Sequence, residues 1–422
     1  MNRKSLQVAG GGLLDRRLFL KRGLLFSATT LAAPALQAKT ESLVSSLPPW
    51  MLKPGKPFSN YGQPSAHENN NIRWVMSNSM APGNGVSWAP LHNLDGIITP
   101  SGLHFERHHN GVPQIDPAQH QLLIHGMVNR PLVFSVENLL RYPMQSKICF
   151  IECGGNSNAG WRRQPIQTQA GYFHGMASCS EWTGIPLQLL LDEAGLDKTA
   201  KWLIVEGADA AAMNISIPLN KALDDCLVVL YQNGEAVRPE NGYPLRLIVP
   251  GWEGVVNVKW LHRIHVAAGP SMTRNETSKY TELLPSGKAR QFSFVMEAKS
   301  FITNPSPGFN MNGSGLYQIS GLAWSGRGKI AKVEVSADAG KTWAEAELQE
   351  PVLAKCFTRF RIPWQWQGQP AVIMSRAIDE TGYQQPNRTD LLRQRGRHGY
   401  FHYNAIVCWK ISEHGEVTHV YA

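Results

Sequence analysis

The chain has little of what would tie it to covalent haem, a zinc ribbon or a membrane. Its six cysteines, Cys149, Cys153, Cys179, Cys226, Cys356 and Cys408, are too sparse for a disulfide scaffold, and none stands in a C-x-x-C or C-x-x-C-H spacing. Covalent haem and a zinc ribbon are excluded on that ground. The apolar run from Gly23 to Ala38 has sixteen residues and contains Thr29, Thr30, Pro34 and Gln37. A spanning helix needs ~18 or more apolar residues. What is present is 422 residues with 43% apolar and 17% charged content, enough for two domains and a sizeable core. A disordered or fibrous chain is excluded.

The formal charge of +9 invites a nucleic-acid or membrane-surface reading until the charge is located. Residues 1–38 hold Arg3, Lys4, Arg16, Arg17, Lys21 and Arg22 against Asp15 alone, which is +5 of the total and leaves +4 for the rest. Asp15-Arg16-Arg17-Leu18-Phe19-Leu20-Lys21 resembles the twin-arginine export signal, and small-residue cleavage options follow at Ala35 or Ala38. Such export carries folded proteins. Residues 1–38 therefore read as a signal peptide, and the expectation is a periplasmic enzyme with a non-covalent cofactor, no nucleic-acid partner and no membrane span.

Residues 39–90 are rich in Pro, Asn, Ser and Gly and are expected to form an extended arm with little regular structure. From 91 to 290, strand-like runs alternate with turns: Gln121 to His125, Lys147 to Glu152, Trp202 to Glu206, Leu227 to Tyr231, Arg246 to Val249 and Val255 to Val258. Leu187 to Ala194 reads as a helix. The pattern is mixed α+β. Residues 291–422 are strand-rich and fit an immunoglobulin-like β-sandwich. Within them, Ser336-Ala337-Asp338-Ala339-Gly340-Lys341-Thr342-Trp343 resembles an Asp-box hairpin, with Asp338 organising the turn. A single copy favours a structural role over a glycosidase propeller.

The stretch that carries chemistry is Cys149-Phe150-Ile151-Glu152-Cys153-Gly154-Gly155-Asn156-Ser157-Asn158-Ala159-Gly160-Trp161-Arg162-Arg163. A strand ends at Cys153, and two glycines permit close backbone approach, so the thiol is offered at a loop. From spacing alone Cys153 has three uses open to it: nucleophile, packing thiol, or ligand to a soft metal. Its surroundings resemble the molybdenum-binding loop of the sulfite oxidase family. Further matches follow in family order: Phe105-Glu106-Arg107-His108-His109, Ser180 to Leu187, Glu206 to Asp209, Ser216 to Leu219, Asn233 to Pro239, Tyr243 to Arg246, Val249 to Gly251 and Val258 to Trp260. The resemblance covers nearly all of residues 95–422.

That resemblance implies a molybdopterin cofactor with Cys153 ligating molybdenum, and His109, Asp209, Asn241, Arg246 and Lys259 holding the pterin and its phosphate. Asn241 stands where the family often has a second histidine. On the substrate side it implies Arg107, Tyr280 and, from the edge of the sandwich domain, Arg395. An expected arginine five residues past the cysteine is Asn158, for which Arg162 or Arg163 would compensate, and a pocket tryptophan is Tyr172. The implied chemistry is oxygen-atom transfer to sulfur, with electrons leaving to an external cytochrome c.

The C-terminal run Gly399-Tyr400-Phe401-His402-Tyr403-Asn404-Ala405-Ile406-Val407-Cys408-Trp409, with the N-terminal arm and the twin-arginine motif, most resembles the sulfane dehydrogenase branch of the family. That likeness implies a molybdenum subunit paired with a dihaem cytochrome, and a cysteine persulfide on a sulfur-carrier protein as substrate in thiosulfate oxidation. The alternative is a periplasmic sulfite dehydrogenase. A homodimer through the sandwich, or a heterotetramer with the cytochrome, is also implied. From a different class, His104, His108 and His109 suggest a zinc-stabilised binding module, against which Gly102 and Asn110-Gly111 argue for a loop or strand rather than a ligand-bearing helix.

Overall fold

Alternation of apolar and polar residues builds most of this protein, and the computed structural model describes it over residues 7–15 and 48–422. The twin-arginine motif from Arg16 onward and both cleavage options lie outside the described residues. Two five-stranded sheets form the first domain. One runs in the order Glu235–Ala236, Leu227–Gln232, Ala177–Pro186 and Gln145–Glu152, with Arg246–Ile248 also paired to Leu227–Gln232. Gln145–Glu152 pairs antiparallel with the long Ala177–Pro186 strand along its whole length, which brings the strand end at Glu152 to a defined place.

The other sheet runs Leu132–Ser135, Gln121–Gly126, Leu261–Ala267, Trp202–Gly207 and Asn214–Pro218. Its Gln121–Gly126 and Leu261–Ala267 strands are parallel. The helix Leu187–Ala194 packs between them. Leu187, Leu190, Leu191 and Ala194 fall at i, i+3, i+4 and i+7 and are all buried, and Gly195 ends the helix at φ 72°.

The second domain is a sandwich of antiparallel sheets. Lys299–Asn304, Gly315–Trp324, Thr358–Trp366 and Glu347–Leu348 make one. Ala344–Glu345, Ile330–Ser336, Ala371–Asp379, Cys408–Ile411 and Val417–Val420 make the other. Its core does not stop at the domain edge. Phe150 of the first domain lies 6.2 Å from Trp324 and 6.4 Å from Phe357, ring centre to ring centre, and its backbone N–H donates to Lys355 O at 3.0 Å. No helix among the described residues is long and apolar enough to cross a membrane.

One expectation is refined and one corrected. The described part of 39–90 has little regular structure, as expected, but it includes two short strands: Trp74–Ser77 pairs with Gly85–Trp88, which pairs in turn with Arg107–His108. Val255 to Val258 is not a strand. Gly254–Val256 is a single tight turn, and the Asn257 side chain accepts from Val249 N at 2.8 Å and donates to Glu253 O at 3.1 Å, replacing the ladder bonds a strand would make.

Candidate active site

Cys153 follows the buried end of Gln145–Glu152, and its loop is fixed from several sides. Its N–H donates to Met176 O at 2.9 Å, while Asn156 spans the turn, donating to Glu152 Oε1 at 2.9 Å and accepting from Met176 N at 3.1 Å. Of the two glycines, Gly154 is the one the geometry requires: a Cβ there would sit 2.7 Å from Glu253 Oε2. A Cβ on Gly155 would meet only ordinary contacts.

Cys153 lines a cleft of about 840 Å³, part of it open to solvent, and the structure brings to the same walls Arg107, His109, Asp209, Asn241, Arg246, Lys259 and Tyr280. Eight of the nine residues singled out in the sequence therefore converge. Arg395 does not. It closes the helix Arg388–Arg395, is buried, and is held by Glu282, with Nη1 to Oε1 at 2.7 Å and to Oε2 at 2.5 Å, and by Glu297 Oε2 at 3.2 Å. Two carboxylates occupy its guanidinium, so it is a structural arginine rather than a pocket one.

Three cations, Arg107, Arg246 and Lys259, line the cleft with two carboxylates, Asp209 and Glu240. Arg246, 3% exposed, donates to Asn241 O at 2.7 Å and Asn257 O at 3.1 Å and lies 4.8 Å over the Trp182 ring, yet its Nε has no partner. Burial pulls its pKa down to about 9. Lys259 Nζ is held by Glu240 O at 3.1 Å, Arg107 O at 3.3 Å and His108 Nδ1 at 2.8 Å, and burial, with Arg246 nearby, lowers its pKa well below the usual lysine value. Arg107 donates to Asn84 Oδ1 at 3.2 Å, to Gly85 O and to His108 O. Among the described residues none of these three cations forms an ion pair with a carboxylate.

The histidines face different partners. His104 Nδ1 meets Phe105 O at 2.9 Å, His108 bridges Glu106 Oε2 and Lys259, and His109 Nδ1 is 3.4 Å from Arg107 Nη2. Burial first, then neighbouring cations, lowers His104 and His108 to about 3 and His109 to about 4. Among the described residues no group of three metal-ligating side chains comes together, so the zinc reading finds no support in their placement.

A soft thiol, three unpaired cations and an orphaned guanidinium nitrogen match a large anionic group carrying a soft metal. Burial raises the Cys153 thiol to about 11, and a metal bound there would make it a thiolate. These features fit molybdopterin, whose phosphate would meet Arg246 and Lys259 and whose metal would meet Cys153.

Beyond Cys153 the cleft opens into a wider basin of about 1,910 Å³, walled by Trp74, Trp88, Tyr172, Tyr400 and Phe401 and carrying Arg162, Arg274 and Lys279. Asn158 and Tyr172 face it, and Arg162, but not Arg163, lines it. Sequence reasoning missed Arg274, Tyr400 and Phe401 as lining residues. It also missed a buried brace behind the loop, in which Glu152 accepts from Lys299 Nζ at 2.9 Å and Trp324 Nε1 at 2.6 Å. The one available signal was the acid directly preceding Cys153.

Fold and site together define a molybdopterin-dependent oxidoreductase, and the chain belongs to the sulfite oxidase family. The family model for the oxidoreductase molybdopterin binding domain matches residues 109–275, and that for the Mo-co oxidoreductase dimerisation domain matches 290–408. A solved structure titled as the sulfane dehydrogenase SoxCD from Paracoccus pantotrophus superposes with a TM-score of 0.86 at 41% identity, covering 90% of this chain and 98% of that one. Mitochondrial sulfite oxidase of Mus musculus is 31% identical over 335 residues, 74% of this chain. The NADPH nitrate reductase of Phytophthora infestans is 31% identical over 293 residues, 61% of this chain. The chain spans 61% of that sulfite oxidase and 32% of that reductase.

Proposed function

We propose that this chain is the molybdenum subunit of a periplasmic oxidoreductase that oxidises the sulfane sulfur of a carrier-bound cysteine persulfide in thiosulfate oxidation. Its electrons pass to a dihaem cytochrome c subunit. The observation that carries the reading is the basin in front of Cys153. A free sulfite dianion is small and calls for a tight, densely cationic pocket, whereas this basin is wide, aromatic-walled and has Asn158 in it. A persulfide presented on a protein segment suits that shape, and the likeness to the sulfane dehydrogenase structure supports it.

When bound, molybdopterin supplies oxygen-atom transfer to sulfur and a two-electron redox couple. The chain's own residues bind and orient. Cys153 would fix the metal, Arg246 and Lys259 would neutralise the pterin phosphate, and Arg107 would draw the anionic sulfur to the cleft. Tyr280, packed 4.9 Å from Phe401, would form one wall beside the metal site where the cleft meets the basin. The sequence has no C-x-x-C-H motif, so the electrons would leave through the partner.

A second reading, sulfite dehydrogenase with a cytochrome c acceptor, is favoured by one observation: Arg107, Arg162, Arg274 and Lys279 all line the basin. The purified holoenzyme with its cytochrome, given sulfite and a persulfide-bearing carrier separately, decides between them. The expected result is a kcat/KM at least ~10-fold higher for the carrier. A preference for sulfite would select the second reading.

A further inference from the structure

Residues 7–15 stand immediately ahead of Arg16-Arg17, and they are seated on the sandwich. Leu14 N–H donates to Pro363 O at 3.0 Å, Trp364 Nε1 to Gly11 O at 2.6 Å, and Gly10 N–H to Thr342 Oγ1 at 2.7 Å. Leu13 bridges Trp364 and is wholly buried in the sandwich core. The segment also folds on itself, with Val8 N–H donating to Leu13 O and Gln7 bridging Leu14.

Three successive glycines are required. A Cβ on Gly10 would lie 2.3 Å from Asp338 Oδ2, on Gly11 2.6 Å from Ala337 O, and on Gly12 2.1 Å from Gln365 O, and Gly11 and Gly12 have φ of 70° and 94°. The Asp338 hairpin thus gains a task. Its carboxylate accepts from Thr342 N at 2.9 Å and from Thr342 Oγ1 at 2.6 Å, which leaves that hydroxyl oxygen turned to Gly10 as an acceptor. An export signal asks only for a basic start, an apolar run and a cleavage site, so none of this fit is needed for the address itself.

We propose that the sandwich carries a docking groove for this chain's own segment Gln7–Asp15, and that the docked segment is a latch holding Arg16 and Arg17 back from the export machinery. The inference rests on reading residues 1–38 as a twin-arginine signal. The groove joins the Asp338 hairpin, which extends one sheet, to Pro363–Gln365 on a strand of the other, so it exists only once both sheets have assembled. The occupant is the chain itself, because covalent connection gives it a high effective concentration. One buried leucine and a few main-chain bonds, set against the ordering of nine residues, make a contact that opens readily.

The test uses the full-length holoenzyme precursor, with Leu13→Asp and Gly12→Val as two independent ways of unseating the segment. Trypsin cleavage after Arg16 and Arg17 should be about tenfold faster in both variants than in the parent, since it follows the open population. Pulse-labelled variants should reach the periplasm sooner, with turnover unchanged. Equal cleavage rates in all three proteins would overturn the groove. Faster cleavage with unaltered export kinetics would overturn the latch. If no form is exported, the reading of the leader falls and the latch with it, while the cleavage difference still measures the groove.

Discussion

Arg246 is nearly out of water with two carbonyls and an indole face around it and no carboxylate. A buried cation left uncompensated is costly to the fold, and replacement by an apolar side chain of similar volume is often neutral or stabilising. Arg246→Met is therefore expected to leave the cofactor-free protein as stable as before, or up to ~2 kcal/mol more stable, while molybdenum and pterin content fall sharply. Chemical denaturation and elemental analysis read the two effects separately. Loss of fold without loss of cofactor affinity would mean that Arg246 serves structure alone. The converging residues were legible because the short motifs around them resemble those of a known family in the same order, and the resemblance carries each role to a numbered position. Arg395 was misplaced because a sequence shows a cation without its partners, and Glu282 and Glu297 lie 113 and 98 residues away.

At the scale of elements, the cysteine loop is braced from the other domain. Lys299 opens the first strand of the sandwich, is 2% exposed, and donates to Glu152 Oε1 and to Ser157 Oγ at 2.8 Å. Lys299→Met would leave Glu152 buried without its cation, so a loss of ~3–5 kcal/mol is expected. The double variant with Glu152→Gln should recover most of that stability. If the brace positions Cys153, the recovered protein will still show an altered molybdenum coordination spectrum and a lower kcat. A wild-type spectrum would reduce the brace to a stability element. Periodicity made the Leu187–Ala194 helix and the long strands readable, whereas this brace was invisible, since nothing local links Glu152 to a lysine 147 residues on. The pairing of Trp74–Ser77 was hidden for a related reason: its partner strands supply the order, and the Asn- and Pro-rich turn between them reads as loop.

For the whole molecule, stability and pH are linked through the cleft. His104 and His108 are held to about 3 and His109 to about 4, against an ordinary value of 6.5, so the folded state refuses protons that the unfolded chain accepts. Between pH 6.5 and about 4 the unfolded state binds more protons, and stability must fall as the pH falls. The denaturation midpoint of the cofactor-free protein should drop across that window, and His104→Gln should flatten the slope. A midpoint independent of pH there would show that these rings protonate freely in the fold.

The brace from Lys299 and Trp324 to Glu152 has a consequence for how such chains vary over time. A crossover between two diverged genes near residue 290 would separate the supporting groups from the loop they steady, and would also set Phe150 against a foreign Trp324 and Phe357. Recombinants would hold the cysteine in a foreign frame. The two halves are in that sense one heritable unit, and changes at residue 152 are expected to track changes at 299 and 324 more closely than those of their immediate neighbours.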